Sequence, residues 1–427
     1  LHLIYRVSDR LVNHRESSQT NSPPLPVLPL VRPAGVFGPG TLIPLYVLMI
    51  VIGYLLFHSG AATVRGNELS RQQSLFTAVN AATLSGFRQA KNVNDYTPFG
   101  QILAFCLTLG GILFSFIAGG LAVVRIARMR YSDRQIFAWA CGVTALVALL
   151  GGLLLLLIGR DLGPFDAVFQ AVSAFGNSGL YAGPLPDGNS LPAHLLLMPL
   201  AVLGGLGLPV LMELADRVRG KSDFSQHSQT VLNWTAGCYL VALVVLLLLQ
   251  FPSQPSSGDA WREAALSASR EAINSRSAGF PFALAVNPLV QWIIIGLMVI
   301  GAAPAGTAGG IKVTTIAVLS RGTRRALDGQ SPGRSFGVAL VWTASYLAML
   351  AAALLVLLWT EPDIRPDKLL FLAASALGNV GLSPDPVAVS DASLYALSVI
   401  MLAGRIAPIL ILWWMADTTP DALVAVG

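Results

Sequence analysis

Of the 427 residues, 54% are hydrophobic and only 11% are charged, against about 25% charged in an ordinary soluble domain. That balance excludes a soluble domain of ordinary size, and a net charge of +5 is too small to mark a nucleic-acid binder. Cys106, Cys141 and Cys238 each lie in an apolar run without metal-ligand spacing, and are expected to be buried packing thiols.

The chain opens on Leu1 rather than Met, so the native start is expected to be either missing or different. No secretory leader pattern precedes the first long apolar run, near residue 41. Residues 1–40 are polar and then proline-rich, which predicts an extended or disordered tail. From there several apolar runs are long enough to cross ~30 Å of hydrocarbon. They fall into four units, each an apolar helix, a shorter semi-polar helix, a glycine-containing loop and a second apolar helix. The helices are predicted at 41–57, 69–83 and 99–124, then 135–158, 165–175 and 191–214. Units three and four place them at 230–249, 261–275 and 288–318, then 336–359, 367–377 and 393–414. As domains, the tail is 1–40 and the units are 41–124, 135–216, 229–320 and 335–427. The expected fold is an all-α polytopic membrane protein of eight spans, with four helix–pore helix–helix repeats around one pseudo-fourfold pore.

The loops make the repeat visible. They read Thr83-Leu84-Ser85-Gly86, Gly176-Asn177-Ser178-Gly179, Arg276-Ser277-Ala278-Gly279 and Gly378-Asn379-Val380-Gly381, each followed by Phe or Leu. Their last glycines recur at intervals of 93, 100 and 102 residues. A permeating cation needs oxygen ligands in place of its water, and four backbone loops around one axis can supply rings of carbonyls. The third unit has a second irregularity. Its last apolar run is broken at 301–310 by Gly301, Pro304, Gly306, Gly309 and Gly310, then resumes at Ile311-Lys312. Backbone freed at membrane depth must face protein or a water-filled cavity.

Charge orients the chain. The links 125–134, 213–228 and 321–334 lie on one side and are rich in arginine and lysine, while the opposite face has mixed charge with an acidic excess. The basic links are expected to be cytoplasmic, with both termini inside and the four short helices dipping in from outside. Acidic mouths of this kind concentrate cations.

The four loops resemble the filters of the Trk/Ktr/HKT potassium-transporter superfamily. The stretch from Pro304 to Lys312 resembles that family's intramembrane gating loop. Met401-Leu402-Ala403-Gly404-Arg405-Ile406-Ala407-Pro408 resembles its last helix, whose arginine lies in the pore below the filter. The resemblance covers residues 41 to about 427 and is closest to the Ktr-type membrane subunit. It implies potassium uptake, K+ at the filter carbonyls and no cofactor in this chain. It further implies a plasma-membrane homodimer and a cytoplasmic ring of nucleotide-binding regulatory subunits. The gate loop has Ala302-Ala303-Pro304-Ala305 where the family is richer in serine. Gly86 stands where sodium-preferring plant relatives have serine, which favours potassium.

Alternatives remain at several residues. Arg276 either braces loop carbonyls or repels ions, and Asn177 and Asn379 either line the filter or brace it. Arg405 is read as pore-facing, since a charge at membrane depth is costly and functional by default. Lys312 either acts in gating or holds a helix end or an acid. The competing functions are a sodium-permeable or coupled carrier of the same superfamily and, more remotely, an intramembrane serine protease. The protease would use Ser178 with His194 as base. Neither a Walker A loop nor a G-x-G-x-x-G fingerprint is present, so a nucleotide would have to bind a partner.

Overall fold

The computed structural model describes residues 38–64, 68–88, 93–159, 162–221, 223–250, 260–282, 287–383 and 389–418. The expected tail lies outside the described residues up to 37, as does the chain end after 418. The first elements are α1 (Pro39–His58), the short α2 (Arg71–Ala82) and α3 (Pro98–Ile126). Next come α4 (Asp133–Ile158, with a π-turn at Val147–Gly151), the short α5 (Pro164–Phe175), α6 (Ala193–Leu206) and α7 (Leu208–Val218). They are followed by α8 (Gln226–Gln250), the short α9 (Ala260–Ile273), α10 (Pro288–Val299) and, across a loop, α11 (Val313–Leu327). The last are α12 (Arg334–Thr360), the short α13 (Pro366–Leu377) and α14 (Asp391–Thr418).

Local chemistry sets many of the helix starts. Proline occupies the first turn of α1, α3, α5, α10 and α13, where its missing N–H costs nothing. Ser70 with Gln73, and Ser132 with Gln135, form reciprocal capping boxes at the starts of α2 and α4. The long helices then sort by burial. The most apolar windows of α3 and α14 are 61% and 50% buried, while those of α1, α4, α8 and α12 lie between 17% and 28%. So α3 and α14 are central and the other four are peripheral. On α1 the exposed residues Leu45, Leu48, Ile52 and Leu55 recur every three or four positions, forming one outward apolar stripe. The interior is the more polar part: Thr83, Ser85, Asn177, Asn379, Lys312 and Arg405 are all buried. An apolar exterior around a polar centre fits hydrocarbon, not water, and the chain is a multi-pass membrane protein.

Two expectations need correction. The helix predicted at 191–214 is not continuous: α6 and α7 meet at 103°. Gly207 makes the corner with φ 86° and ψ 148°, outside any helical region. The span expected at 191–214 is therefore a bent pair, whereas the break expected within 288–318 is present between α10 and α11. Among the described residues six are long and apolar enough to cross, seven if the bent pair counts as one, and α10 is a short apolar helix of 12 residues. Secondly, Cys106 and Cys141 are exposed and Cys238 half-buried, so these thiols lie on outward faces instead of in the packing core.

Candidate ion pathway

The short helices α2, α5, α9 and α13 each end in one of the four loops. Gly86, Gly179, Gly279 and Gly381 have φ values of 83°, 67°, 66° and 80°, a left-handed region that only glycine enters freely. Their surroundings are tighter still. A Cβ on Gly86 would lie 1.9 Å from the Ser178 carbonyl oxygen, and one on Gly179 would lie 2.3 Å from that of Gly279. On Gly279 it would lie 1.8 Å from the Val380 oxygen, and on Gly381 it would lie 1.6 Å from the Ser85 oxygen. Loop one thus meets loop two, two meets three, three meets four, and four meets one. The contacts close into a cycle in which every glycine admits a neighbour's carbonyl.

Two schemes hold the loops, and they alternate around the cycle. In loops one and three an asparagine, Asn80 within α2 or Asn274 just after α9, clamps the residue after the glycine. Asn80 donates to the Phe87 carbonyl at 2.8 Å and accepts the Phe87 N–H at 2.9 Å. Asn274 does the same to Phe280, at 2.7 and 2.8 Å. In loops two and four the position matching Asn80 is Ser173 or Ser375, whose hydroxyls have no hydrogen-bond partner among the described residues. Here the asparagine lies inside the loop itself. Asn177 and Asn379 sit at φ 53° and 49° and donate to the carbonyls of Ala201 and Met401 on the following long helices. Asn80 and Asn274 were not singled out from the sequence. A polar residue in a short semi-polar helix carries no signal of its own until the loop folds back onto it. Ala278 is buried in loop three, and the side chain of Ser277 lies outside the described part.

A further set of glycines seats the short helices. Cβ atoms on Gly111, Gly204 and Gly404 would lie 2.1, 1.7 and 2.1 Å from the carbonyls of Ala82, Phe175 and Leu377, each within one residue of a short helix's end. These positions in α3, α6 and α14 repeat at nearly the loop spacing, a signal that the sequence reading passed over.

The broken segment between α10 and α11 fills the space beneath. It is buried throughout from Gly301 to Gly310. The Ala303 and Thr307 N–H groups donate to the Gly205 and Gly204 carbonyls at 3.0 and 3.1 Å, and the Leu208 N–H donates to Ala305 at 3.1 Å. The bend at Gly207 therefore exists to receive this loop: a Cβ there would lie 2.5 Å from the Pro304 oxygen. On other sides the loop meets Gly119 of α3 and the Gly378 carbonyl of loop four. Gly306 packs on the Gly205 carbonyl, and Gly310 has φ 71°. Lys312 turns back, donating to the Ala308 carbonyl at 2.6 Å, so it satisfies backbone rather than an acid. Arg276 donates to the Gly301 carbonyl at 2.9 Å, which fits a brace between loop three and the start of this segment.

Arg405 joins both systems. Its Nε donates to the Thr83 carbonyl at 2.9 Å, and its Nη1 donates to the Thr307 carbonyl at 2.6 Å and the Ser115 hydroxyl at 3.3 Å. Its second terminal nitrogen also reaches the Thr83 carbonyl. Arg405, Lys312, Gly306 and Gly309 line one small cavity together with Pro408. The protease pair is not assembled in this way. His194 faces the Ser190 and Leu266 carbonyls, while the buried Ser178 hydroxyl has no hydrogen-bond partner among the described residues.

Comparison with known proteins agrees with this architecture. The model of the TrkH cation transport protein family matches residues 193–416, over half of the chain. Ktr system potassium uptake protein B of Bacillus subtilis (strain 168) is 26% identical, over 90% of this chain and 95% of that protein. The protein of the same name from Vibrio alginolyticus is 28% identical, over 89% of this chain and 92% of its own length. The crystal structure of the potassium transporter TrkH from Vibrio parahaemolyticus superimposes with a TM-score of 0.73 at 18% identity, covering 91% of this chain and 87% of that one. The buried loops, the broken helix and the family match agree, and the chain belongs to the TrkH family of cation transport proteins.

Proposed function

We propose that this chain carries potassium across the plasma membrane through a pore filtered by its four glycine loops and closed from below by residues 301–310. The observation that carries the reading is the closed cycle in which each loop glycine accommodates the next loop's carbonyl. Only a ring around a common axis needs four such approaches, and ring carbonyls are what a dehydrated cation requires. In this reading the filter is 83–86, 176–179, 276–279 and 378–381, and each of the four units contributes one quarter of it. The names of the Bacillus and Vibrio relatives, both potassium uptake proteins, support potassium as the cargo. No step involves covalent chemistry.

The same reading makes the chain a homodimer with both termini cytoplasmic. Its exposed basic side, with Arg128, Arg130, Arg134, Arg324, Arg325 and Arg334, would receive a nucleotide-binding regulatory ring. The test is rubidium uptake into liposomes holding the purified chain, with sodium and caesium as competitors. Uptake resisted by caesium but little by sodium is expected, and equal competition by sodium would overturn potassium preference.

A further inference from the structure

Asn177 and Asn379 are counterparts in diagonally placed loops, and their hydrogen bonds match except in one respect. Each amide nitrogen donates to the carbonyl of its own long helix, Ala201 or Met401. Each also donates to a hydroxyl in the next unit of the cycle. For Asn379 that hydroxyl is Ser85 of the first loop, at 3.1 Å. The matching position in the third loop is Ala278, which has no hydroxyl. Asn177 bonds instead to Thr307 at 2.6 Å, and Thr307 belongs to the broken segment below the loops.

Thr307 is firmly placed for this. Its hydroxyl donates to the Phe175 carbonyl at 3.0 Å, which leaves its lone pairs to accept from Asn177. Its N–H donates to the Gly204 carbonyl at 3.1 Å. Its own carbonyl accepts from Arg405, which also holds the Thr83 carbonyl of loop one. One residue of the lower segment is therefore tied to loop two directly and to loop one through a single guanidinium.

Resting on the filter-and-gate reading above, we propose that Thr307 makes the gate loop part of the filter. Its hydroxyl substitutes for the one that Ala278 lacks, so that withdrawing the gate loop loosens loop two and lowers ion preference. Coupling of this kind is reciprocal: an ion that orders the filter also favours the seated gate loop. Thr307 is a positioning residue, since its contacts are to Asn177, Phe175, Gly204 and Arg405 and not to the ion.

The test is rubidium uptake against sodium competition in liposomes, with the parent chain, Thr307→Val, Thr307→Ser and Asn177→Gly. Valine keeps the shape and removes the hydroxyl, serine keeps the hydroxyl, and glycine suits the left-handed backbone of Asn177. Losing one hydrogen bond that orders the selective state should lower rubidium-over-sodium preference about fivefold in Thr307→Val. Thr307→Ser should stay near the parent. Asn177→Gly, which also frees the Ala201 carbonyl, should lose at least as much preference as Thr307→Val, and decides the matter if the valine variant is not recovered folded. A contact serving only stability would lower the yield of folded protein and leave the preference per molecule unchanged. Parental preference in both Thr307→Val and Asn177→Gly would overturn the coupling, as would a loss in Thr307→Ser equal to that in Thr307→Val. If the parent chain itself shows no preference, the filter reading fails; if only the Thr307 and Asn177 variants are silent, the coupling alone fails.

Discussion

Gly119 of α3 lies so close to Ala305 of the broken segment 301–310 that a Cβ on the glycine would stand 2.6 Å from the Ala305 Cα. Ala305 itself has φ 58°, a conformation that costs a residue with a side chain roughly 1–2 kcal/mol. The loop is thus held in a strained shape by the helices that surround it. Gly119→Ala should push it off its seat and raise rubidium flux several-fold. Initial-rate uptake at matched protein density in liposomes checks this, and unchanged flux in a folded Gly119→Ala chain would count against a gating role.

Arg405 should matter for stability as well as for flux. Removing it leaves the buried carbonyls of Thr83 and Thr307 short of a donor, at about 1–3 kcal/mol for each group. Arg405→Ala is expected to lower the thermal unfolding temperature in detergent and to raise resting flux. Arg405→Lys should not restore stability, because a single ammonium lacks the planar fork that spans the two carbonyls. A lysine variant as stable as the parent would contradict the bracing role.

Arg270 and Glu271 form a buried ion pair at 3.6 Å on α9, and Gln250 of α8 donates to the same carboxylate at 2.5 Å. The Ser275 hydroxyl, just before the third loop, bonds back to the Glu271 carbonyl. Glu271→Ala buries the Arg270 charge without its carboxylate, a change that costs about 3–5 kcal/mol. Thermal unfolding should show a large drop for Glu271→Ala. Arg270→Met/Glu271→Leu, which removes both charges, should recover part of it. A single-variant cost below about 1 kcal/mol, as for exposed pairs, would contradict the assignment.

The four glycine loops and the broken helix were legible from residues alone, for a physical reason. Gly86, Gly179, Gly279 and Gly381 announce themselves because no other residue fits a left-handed turn pressed on a carbonyl. Gly301, Pro304 and Gly310 likewise cannot sit cheaply inside a helix. What stayed hidden depends on partners remote in sequence. The corner at Gly207 is one example. Gly204-Gly205-Leu206-Gly207-Leu208-Pro209 is breakable, yet it breaks because residues 303–307 take up its carbonyls and N–H. Thr307 and Asn177 are 130 residues apart, and neither is unusual in its own segment. Arg405 was read as a charge facing the pore. Its guanidinium donates to Thr83, Thr307 and Ser115, partners that no local pattern reveals.

The central claim is that four glycines hold a ring of backbone carbonyls around one ion path. It is tested most directly by rubidium uptake against excess sodium for the parent chain and for Gly86→Ser, Gly179→Ser, Gly279→Ser and Gly381→Ser, one at a time. A side chain at any of them would lie within 2.3 Å of a neighbouring carbonyl oxygen, so that oxygen must move. Every variant that folds should therefore lose preference for rubidium over sodium, with Gly86→Ser admitting sodium most readily. Four folded variants that keep the parent's preference would contradict the account.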